Sequence, residues 1–317
     1  MINKSTSIAI TGASGFIGGR LAERLLGSNR PIINLGRSRM NKAEENYFVD
    51  FNEPDFDLEG ALADAEVVIH CAARTHVMNE VESDPLDAYL KFNTKATIRL
   101  AEQAARAGVK RFIYLSSIKA VGESTVKGTP MSVTSPTVPV DEYGISKARA
   151  EEGLLAVAKK TGMEITIIRP PLVYGKGVKA NFAAMLALAK KNLPLPLASV
   201  KNKRSIVALD NLVDLLITCI DHKNAGNEIF MVSDGDDVST PELLALMTMA
   251  YGKQPRLLPF PPQILRFGAS CLGKGAIADR LLGSLEIDIK HTREQLNWAP
   301  RVRMKDVLKE MVSDSAS

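Results

Sequence analysis

Tyr143 and Lys147 lie four residues apart in the segment Tyr143-Gly-Ile-Ser-Lys147, a spacing that sets both on one face of a helix. A phenol titrates near pH 10 in water and is a poor base at neutrality. An ammonium beside it favours the phenolate and should draw that value down. The pair is therefore expected to move a proton to or from a substrate hydroxyl. The spacing alone is weak evidence, so context must support it. Leu115-Ser116-Ser117 supplies that context, closing a β-branched and aromatic run where an open α/β sheet binds its substrates. Ser117 would hold the oxygen whose proton Tyr143 handles. Two serines at a strand end are otherwise ordinary turn chemistry.

A second constellation precedes these residues. Thr11-Gly-Ala-Ser-Gly-Phe-Ile-Gly18 follows a short apolar run and opens a helical pattern. Gly12, Gly15 and Gly18 would permit a tight turn, a close approach to a pyrophosphate and close helix–sheet packing, with Ser14, Phe16 and Ile17 between them. The helix amino terminus offers free N–H groups to the anion. The choice of dinucleotide should be written after the second strand, in Leu35-Gly36-Arg37-Ser38-Arg39. An acid there would bind the ribose hydroxyls of NAD, and none is present. Arg37 could instead pair with the 2′-phosphate of NADP, so either NAD or NADP is expected, with a lean to NADP. Asp50-Phe51 stands where an adenine amino group could be bound.

The elements that must position these groups alternate. Strands are expected at Ile8–Thr11, Pro31–Leu35, Tyr47–Val49, Glu66–Cys71, Arg111–Ser116 and Glu164–Ile168. Helices are expected at Gly15–Leu26, Asp84–Ala107 and Tyr143–Thr161. That rhythm predicts an α/β fold, a doubly wound parallel sheet of Rossmann type. After residue 173 prolines punctuate short helices around one strand-like run, Glu228–Val232. Residues 1–173 are read as the dinucleotide-binding domain and 174–317 as mainly a smaller substrate-binding cap, the helix near 210–221 returning to the sheet.

Composition narrows the function further. The 317 residues are 45% hydrophobic and 24% charged, with a net charge of +4. The basic surplus forms no stripe in the sequence, so no nucleic-acid partner is expected. Cys71, Cys219 and Cys271 sit in apolar stretches and are expected to be reduced, buried thiols of a cytoplasmic protein. His70, His76, His222 and His291 lack ligand spacing, so no metal is expected. Ile8–Thr11 already reads as a strand, and no leader is expected before it. Phe260–Leu282 is apolar but broken by charges. It should form a helical pair over a pocket rather than a membrane span.

Taken together, the motifs resemble the extended short-chain dehydrogenase/reductase family of nucleotide-sugar epimerases, dehydratases and reductases, over nearly the whole chain. Residues 11–18 match its T-G-x-x-G-F-I-G turn, and His70-Cys71-Ala72-Ala73 its H-x-A-A segment. Asn93 matches the asparagine that supports the active site. Ser117, Tyr143 and Lys147 match the catalytic set, with Ser116 beside it. Arg169-Pro170-Pro171-Leu172-Val173-Tyr174-Gly175 resembles the segment lining the nicotinamide, through Pro170 and Val173. By the same resemblance Asn181, Arg204 and Arg280 would contact a nucleotide diphosphate. Thr75-His-Val-Met78, Ser116-Ser-Ile-Lys119 and Lys179-Ala-Asn-Phe182 are similar to the 4-epimerases and 4-keto reductases of O-antigen sugar pathways. Val121 and Leu172 depart from many 4-epimerases, which carry tyrosine and asparagine there. The resemblance implies a UDP-linked hexose or N-acetylhexosamine as substrate, chemistry at carbon 4 and a homodimer through helices 84–107 and 143–161. Rival readings are a nucleotide-sugar dehydratase and a non-catalytic dinucleotide-sensing scaffold.

Overall fold

The computed structural model describes residues 7–28, 30–75 and 84–313. Strand β1 (Ile8–Thr11) leads through the glycine turn into helix α1 (Phe16–Leu26), then β2 (Ile32–Gly36), β3 (Glu45–Phe48), the short α2 (Glu59–Leu62) and β4 (Val67–His70). Helices α3 (Pro85–Tyr89) and α4 (Ala96–Arg106) carry the chain to β5 (Arg111–Leu115), α5 (Glu142–Thr161) and β6 (Glu164–Arg169). The main sheet runs β3-β2-β1-β4-β5-β6-β9, its last strand being Glu228–Met231. Every neighbouring pair is parallel. The order reverses between β1 and β4, where a doubly wound sheet opens its ligand crevice.

Burial explains why these runs are strands. β1, β4 and β5 are buried along their whole lengths, as parallel strands covered on both faces must be. Alternation divides the core. Ile8 and Ile10 join one cluster with Leu21 of α1 and Leu212, while Ala9 joins the other with Leu100 of α4 and Leu154 of α5.

Beyond β6 come β7 (Leu172–Tyr174), α6 (Ala180–Lys191), β8 (Ile206–Ala208), α7 (Leu209–Asp221), β9 (Glu228–Met231) and α8 (Thr240–Ala250). Helices α9 (Pro262–Cys271), α10 (Gly275–Leu282), α11 (Lys290–Leu296) and α12 (Met304–Ser313) complete the chain. β7 and β8 form a separate two-stranded sheet. Phe182 of α6, Leu243 and Met247 of α8 and Leu308 of α12 make a core beside it. α7 packs against α1.

Four expectations are corrected. Residues 84–107 form no continuous α-helix, because a π-helical turn at Leu90–Lys95 separates α3 from α4. Glu228–Val232, read within the mainly cap half, joins the main sheet instead, as β9 beside β6. Its neighbour was set by a pairing some sixty residues distant, Thr166 with Glu228, which local patterning does not show. Cys271 is exposed and Cys71 is only partly buried; Cys219 alone of the three is buried. Cys271 sits on α9, which buries none of its residues, and so α9 is not a helix tucked over a pocket.

Candidate active site

The glycine turn is packed against the chain's own backbone, with no room for side chains at Gly12 and Gly18. Gly12 has φ +72, a left-handed conformation, and a Cβ there would lie 2.8 Å from Ala72 N. A Cβ on Gly18 would lie 2.2 Å from the Gly12 carbonyl oxygen, so α1 can dock on β1 only without a side chain there. Gly15 caps α1, whose first turn carries no acid, leaving the positive helix end uncompensated. Ala13, Phe16, Ile17, Cys71 and Val173 pack together against the sheet's core beneath this turn. A cavity of about 600 Å³ extends from Ser14, Gly15 and Phe16 to Lys176 and Lys179. These features fit the pyrophosphate of a dinucleotide. A cavity of about 620 Å³ at the opposite ends of the strands, between Glu66, Lys110 and Met163, contains none of these groups.

A buried hydrogen-bond chain holds the two sides of the crevice together. Thr11 Oγ1 accepts from Ala72 N–H at 3.1 Å and lies 2.7 Å from His70 Nδ1. Each ring nitrogen of His70 thus faces a hydroxyl that can donate or accept, Nε2 lying 2.9 Å from Thr97 Oγ1. His70 is neutral, its pKa pushed down to about 3 by burial and by the nearby Lys147. This chain fixes Cys71-Ala72-Ala73 against Gly12.

The proton-handling groups meet at the carboxyl end of β5. Ser117 accepts from Lys119 N–H at 3.2 Å and hydrogen-bonds the Tyr143 phenol. Ile118 N–H donates to the Pro170 carbonyl at 2.9 Å, which ties the serine loop to the segment after β6. Lys147 is buried, donates to the Leu115 carbonyl at 2.8 Å and lies 4.6 Å from the centre of the Tyr114 ring and 5.8 Å from that of Tyr143. Burial drives its ammonium down to about 7. Burial and the Asp141 carboxylate push the Tyr143 phenol up, with Ser117 opposing them. In this fold desolvation outweighs the expected pull of Lys147 on Tyr143, because burial favours the neutral forms of both groups.

Helix α5 owes its position to contacts at each end of this face. Asp141 caps it, accepting from Gly144 N–H at 2.7 Å, and meets Lys119 Nζ at 2.5 Å. Gly162 closes it with φ +77. The π-turn clasps it: Asn93 Nδ2 donates to Ser146 Oγ at 2.9 Å and Thr94 Oγ1 to the Ser146 carbonyl at 2.8 Å. Asn93 also accepts from Arg74 N–H at 2.8 Å. One turn past Lys147, Glu151 receives Ser116 Oγ and Arg169 Nη2, each at 2.5 Å, with both charged side chains buried. The Ser116 hydroxyl, expected at the cofactor, is committed to Glu151.

The remaining expected residues are more scattered. Arg37 is exposed just beyond β2. Asp50 accepts from Asn52 N–H at 3.0 Å, while Phe51 is buried in edge contact with Phe56, Phe92 and His70. Asn181 is exposed near the start of α6, next to Ala180 with φ +55. Arg204 Nη1 donates to the Arg280 and Gly283 carbonyls at 2.9 and 3.2 Å, which brings Arg204 and exposed Arg280 to one place. His76 and Met78 lie outside the described residues. Sequence reasoning missed Glu151, Lys119, Asp141 and Tyr89, whose ring meets that of Tyr143 edge-on at 6.2 Å. Only Glu151 carried a signal, continuing the four-residue spacing of Tyr143 and Lys147. Among the described residues no cluster of three or more His, Cys, Asp or Glu could hold a metal ion, and no helix is long and apolar enough to cross a membrane.

A dinucleotide cradle at the switch point of a parallel sheet, with serine, tyrosine and lysine at the neighbouring strand end, defines a class of oxidoreductive enzyme. Residues 8–233 match the model of the NAD dependent epimerase/dehydratase family, and the chain belongs to that family. It is 45% identical over 309 residues to a UDP-glucose 4-epimerase of Vibrio cholerae, covering 96% of this chain and 94% of the relative. It is 30% identical to a UDP-glucose 4-epimerase of Mycolicibacterium smegmatis, covering 94% of each. Its fold is that of the UDP-N-acetylglucosamine 4-epimerase from Bacillus cereus, at TM-score 0.81 and 20% identity over 99% of this chain and 100% of the other.

Proposed function

We propose that this enzyme catalyses oxidoreduction at carbon 4 of a UDP-linked hexose or N-acetylhexosamine, as a 4-epimerase. The observation that carries the reading is the assembly of Ser117, Tyr143 and Lys147 on one strand end and one helix face beside the glycine cradle. The 45% identity to the Vibrio cholerae UDP-glucose 4-epimerase supports the substrate class. Gly12, Gly15 and Gly18 would hold a nicotinamide dinucleotide, which would supply the acceptor and donor of hydride. In its phenolate form, which burial disfavours, Tyr143 takes the proton of the sugar's 4-hydroxyl as the C4–H bond breaks, and Ser117 holds the resulting 4-keto oxygen. When hydride returns to the opposite face of C4, Tyr143 gives the proton back. Lys147 orients Tyr143 and would reach the nicotinamide ribose. Asn181, Arg204 and Arg280 would bind the diphosphate, with the segments after residue 173, apart from α7 and β9, forming the cap.

Two observations favour a second reading, reduction of a UDP-4-keto sugar with NADPH. Arg37 stands where an NAD-selective acid would, and burial keeps Tyr143 protonated, ready to donate to a keto oxygen. Dehydration is disfavoured, because Ile118 and Lys119 follow Ser117 in place of an acidic pair, and Lys119 is engaged with Glu123 and Asp141. A non-catalytic scaffold would have no use for the proton-transfer set. The role fits surface-polysaccharide sugar synthesis in the cytoplasm.

The test is to denature the purified protein, identify the released dinucleotide by mass spectrometry, and assay UDP-glucose, UDP-N-acetylglucosamine and UDP-4-keto sugars. Near-stoichiometric NAD with interconversion of C4 epimers is expected. Release of NADP, or NADPH oxidation that needs a 4-keto sugar, would replace epimerisation by reduction. No turnover with any nucleotide sugar would refute both.

A further inference from the structure

One stretch carries basic residues at ordinary density but almost no acids. Residues 251–284 hold Lys253, Arg256, Arg266, Lys274 and Arg280 against Asp279 alone, a surplus of four. That equals the formal net charge of the entire chain, +4, so the other residues sum to zero. The same stretch presents Leu258, Phe260, Ile264, Phe267, Leu272 and Ile277, each between 37% and 74% exposed.

The helical geometry gathers these side chains. Ile264, Phe267 and Cys271 stand at i, i+3 and i+7 on α9, one face of the helix, and all three face solvent. α9 has no buried residue, and α10 is its principal packing partner. A surface helix of a globular protein normally turns that stripe inward, and a concentrated apolar patch outside marks an interaction site. Cations flank these residues along the chain: Arg256 precedes the hairpin, Lys274 follows Leu272 by two residues, and Arg266, between Ile264 and Phe267, pairs with Asp279 at 3.5 Å.

We infer that the α9–α10 hairpin docks the enzyme on an anionic lipid bilayer surface. Phe267, Ile264 and Leu272 enter the boundary between headgroups and acyl chains, and Arg256, Arg266 and Lys274 meet lipid phosphates. Apolar side chains interleaved with basic ones are what an interfacial helix requires. At ten and eight residues α9 and α10 are far too short to span the bilayer. Charge also argues against a second copy of this chain as the occupant, because the patch would oppose its own surplus of four. The inference is independent of which sugar is converted.

The experiment is sedimentation of the full-length protein with sucrose-loaded vesicles of phosphatidylglycerol or of phosphatidylcholine, at low and at physiological salt. Binding to phosphatidylglycerol that weakens with salt, and little to phosphatidylcholine, is expected. Arg256→Gln and Lys274→Gln should each lower the partition coefficient about fivefold, and Phe267→Ser with Leu272→Ser should remove binding while circular dichroism and the urea midpoint stay those of the parent. Independently of any variant, a polarity-sensitive dye on exposed Cys271 should shift its emission to the blue when phosphatidylglycerol vesicles are added. No binding to phosphatidylglycerol at low salt, or no shift of the dye, would overturn the inference. So would a vesicle-free dimer that the double serine variant converts to monomer, because the patch would then face a second copy of the chain.

Discussion

At the scale of single residues, burial decides how the proton-handling groups behave. Spacing placed Tyr143 and Lys147 on one helix face, but the direction of their titration follows from what surrounds them. Burial brings Lys147 down to about 7 and holds Tyr143 above its ordinary value. Tyr143→Phe removes the only atom that can exchange the proton while keeping the ring. Turnover should fall by about 10²- to 10⁴-fold with dinucleotide binding retained, as steady-state kinetics and a binding titration would show. Retained turnover would refute the proton path. His70 yields a prediction with a definite sign. Folded, it stays neutral down to about pH 3; unfolded, it takes a proton near pH 6.5. Stability is therefore full above about pH 6.5 and drains away as pH falls through the window toward 3. Denaturant midpoints should show His70→Gln less stable than the parent at pH 7.5, yet losing less between pH 7 and 5. An equal loss in both proteins would show that other groups govern the acid limb.

At the scale of elements, α5 carries Tyr143, Lys147 and Glu151 at successive four-residue steps, and its two ends determine where they point. The Asp141 cap joins α5 to the serine loop through Lys119. Burial alone would raise its carboxyl, but the hydrogen bonds from Lys119 and Gly144 N–H hold it below its usual range. Asp141→Ala should cost about 1–2 kcal/mol of stability, measured by urea unfolding, and lower kcat more than KM because Ser117 and Tyr143 lose their shared anchor. Unchanged kinetics would make the cap purely structural. The π-turn is the feature that helical periodicity did not foretell. Its amphipathic pattern reads as α-helix across 84–107, and the wider turn carries Asn93 and Thr94, which both engage Ser146 of α5. Such turns recur at functional sites.

At the scale of the whole molecule, the parallel sheet sets the glycine cradle and the β5 end side by side, and helices cover both faces. α5 leaves Leu155 exposed on one of the two helices through which we propose the homodimer forms. Sedimentation at micromolar concentration should show a dimer, and Leu155→Asp should shift it toward monomer; a monomeric parent protein refutes the arrangement. The amino-acid sequence by itself determined the alternating elements, the glycine turn and the serine, tyrosine and lysine set. Each of these is written in short stretches whose periodicity or steric demands are local. Tertiary structure alone decided that β9 completes the main sheet, that Phe51 is a core ring, that Ser116 serves Glu151, and that Arg204 lies beside Arg280. Each of those outcomes depends on partners dozens of residues away, and local pattern carries no record of such pairings. The direction in which Tyr143 and Lys147 titrate belongs with them, because desolvation is a property of the packed interior and not of the spacing between two residues.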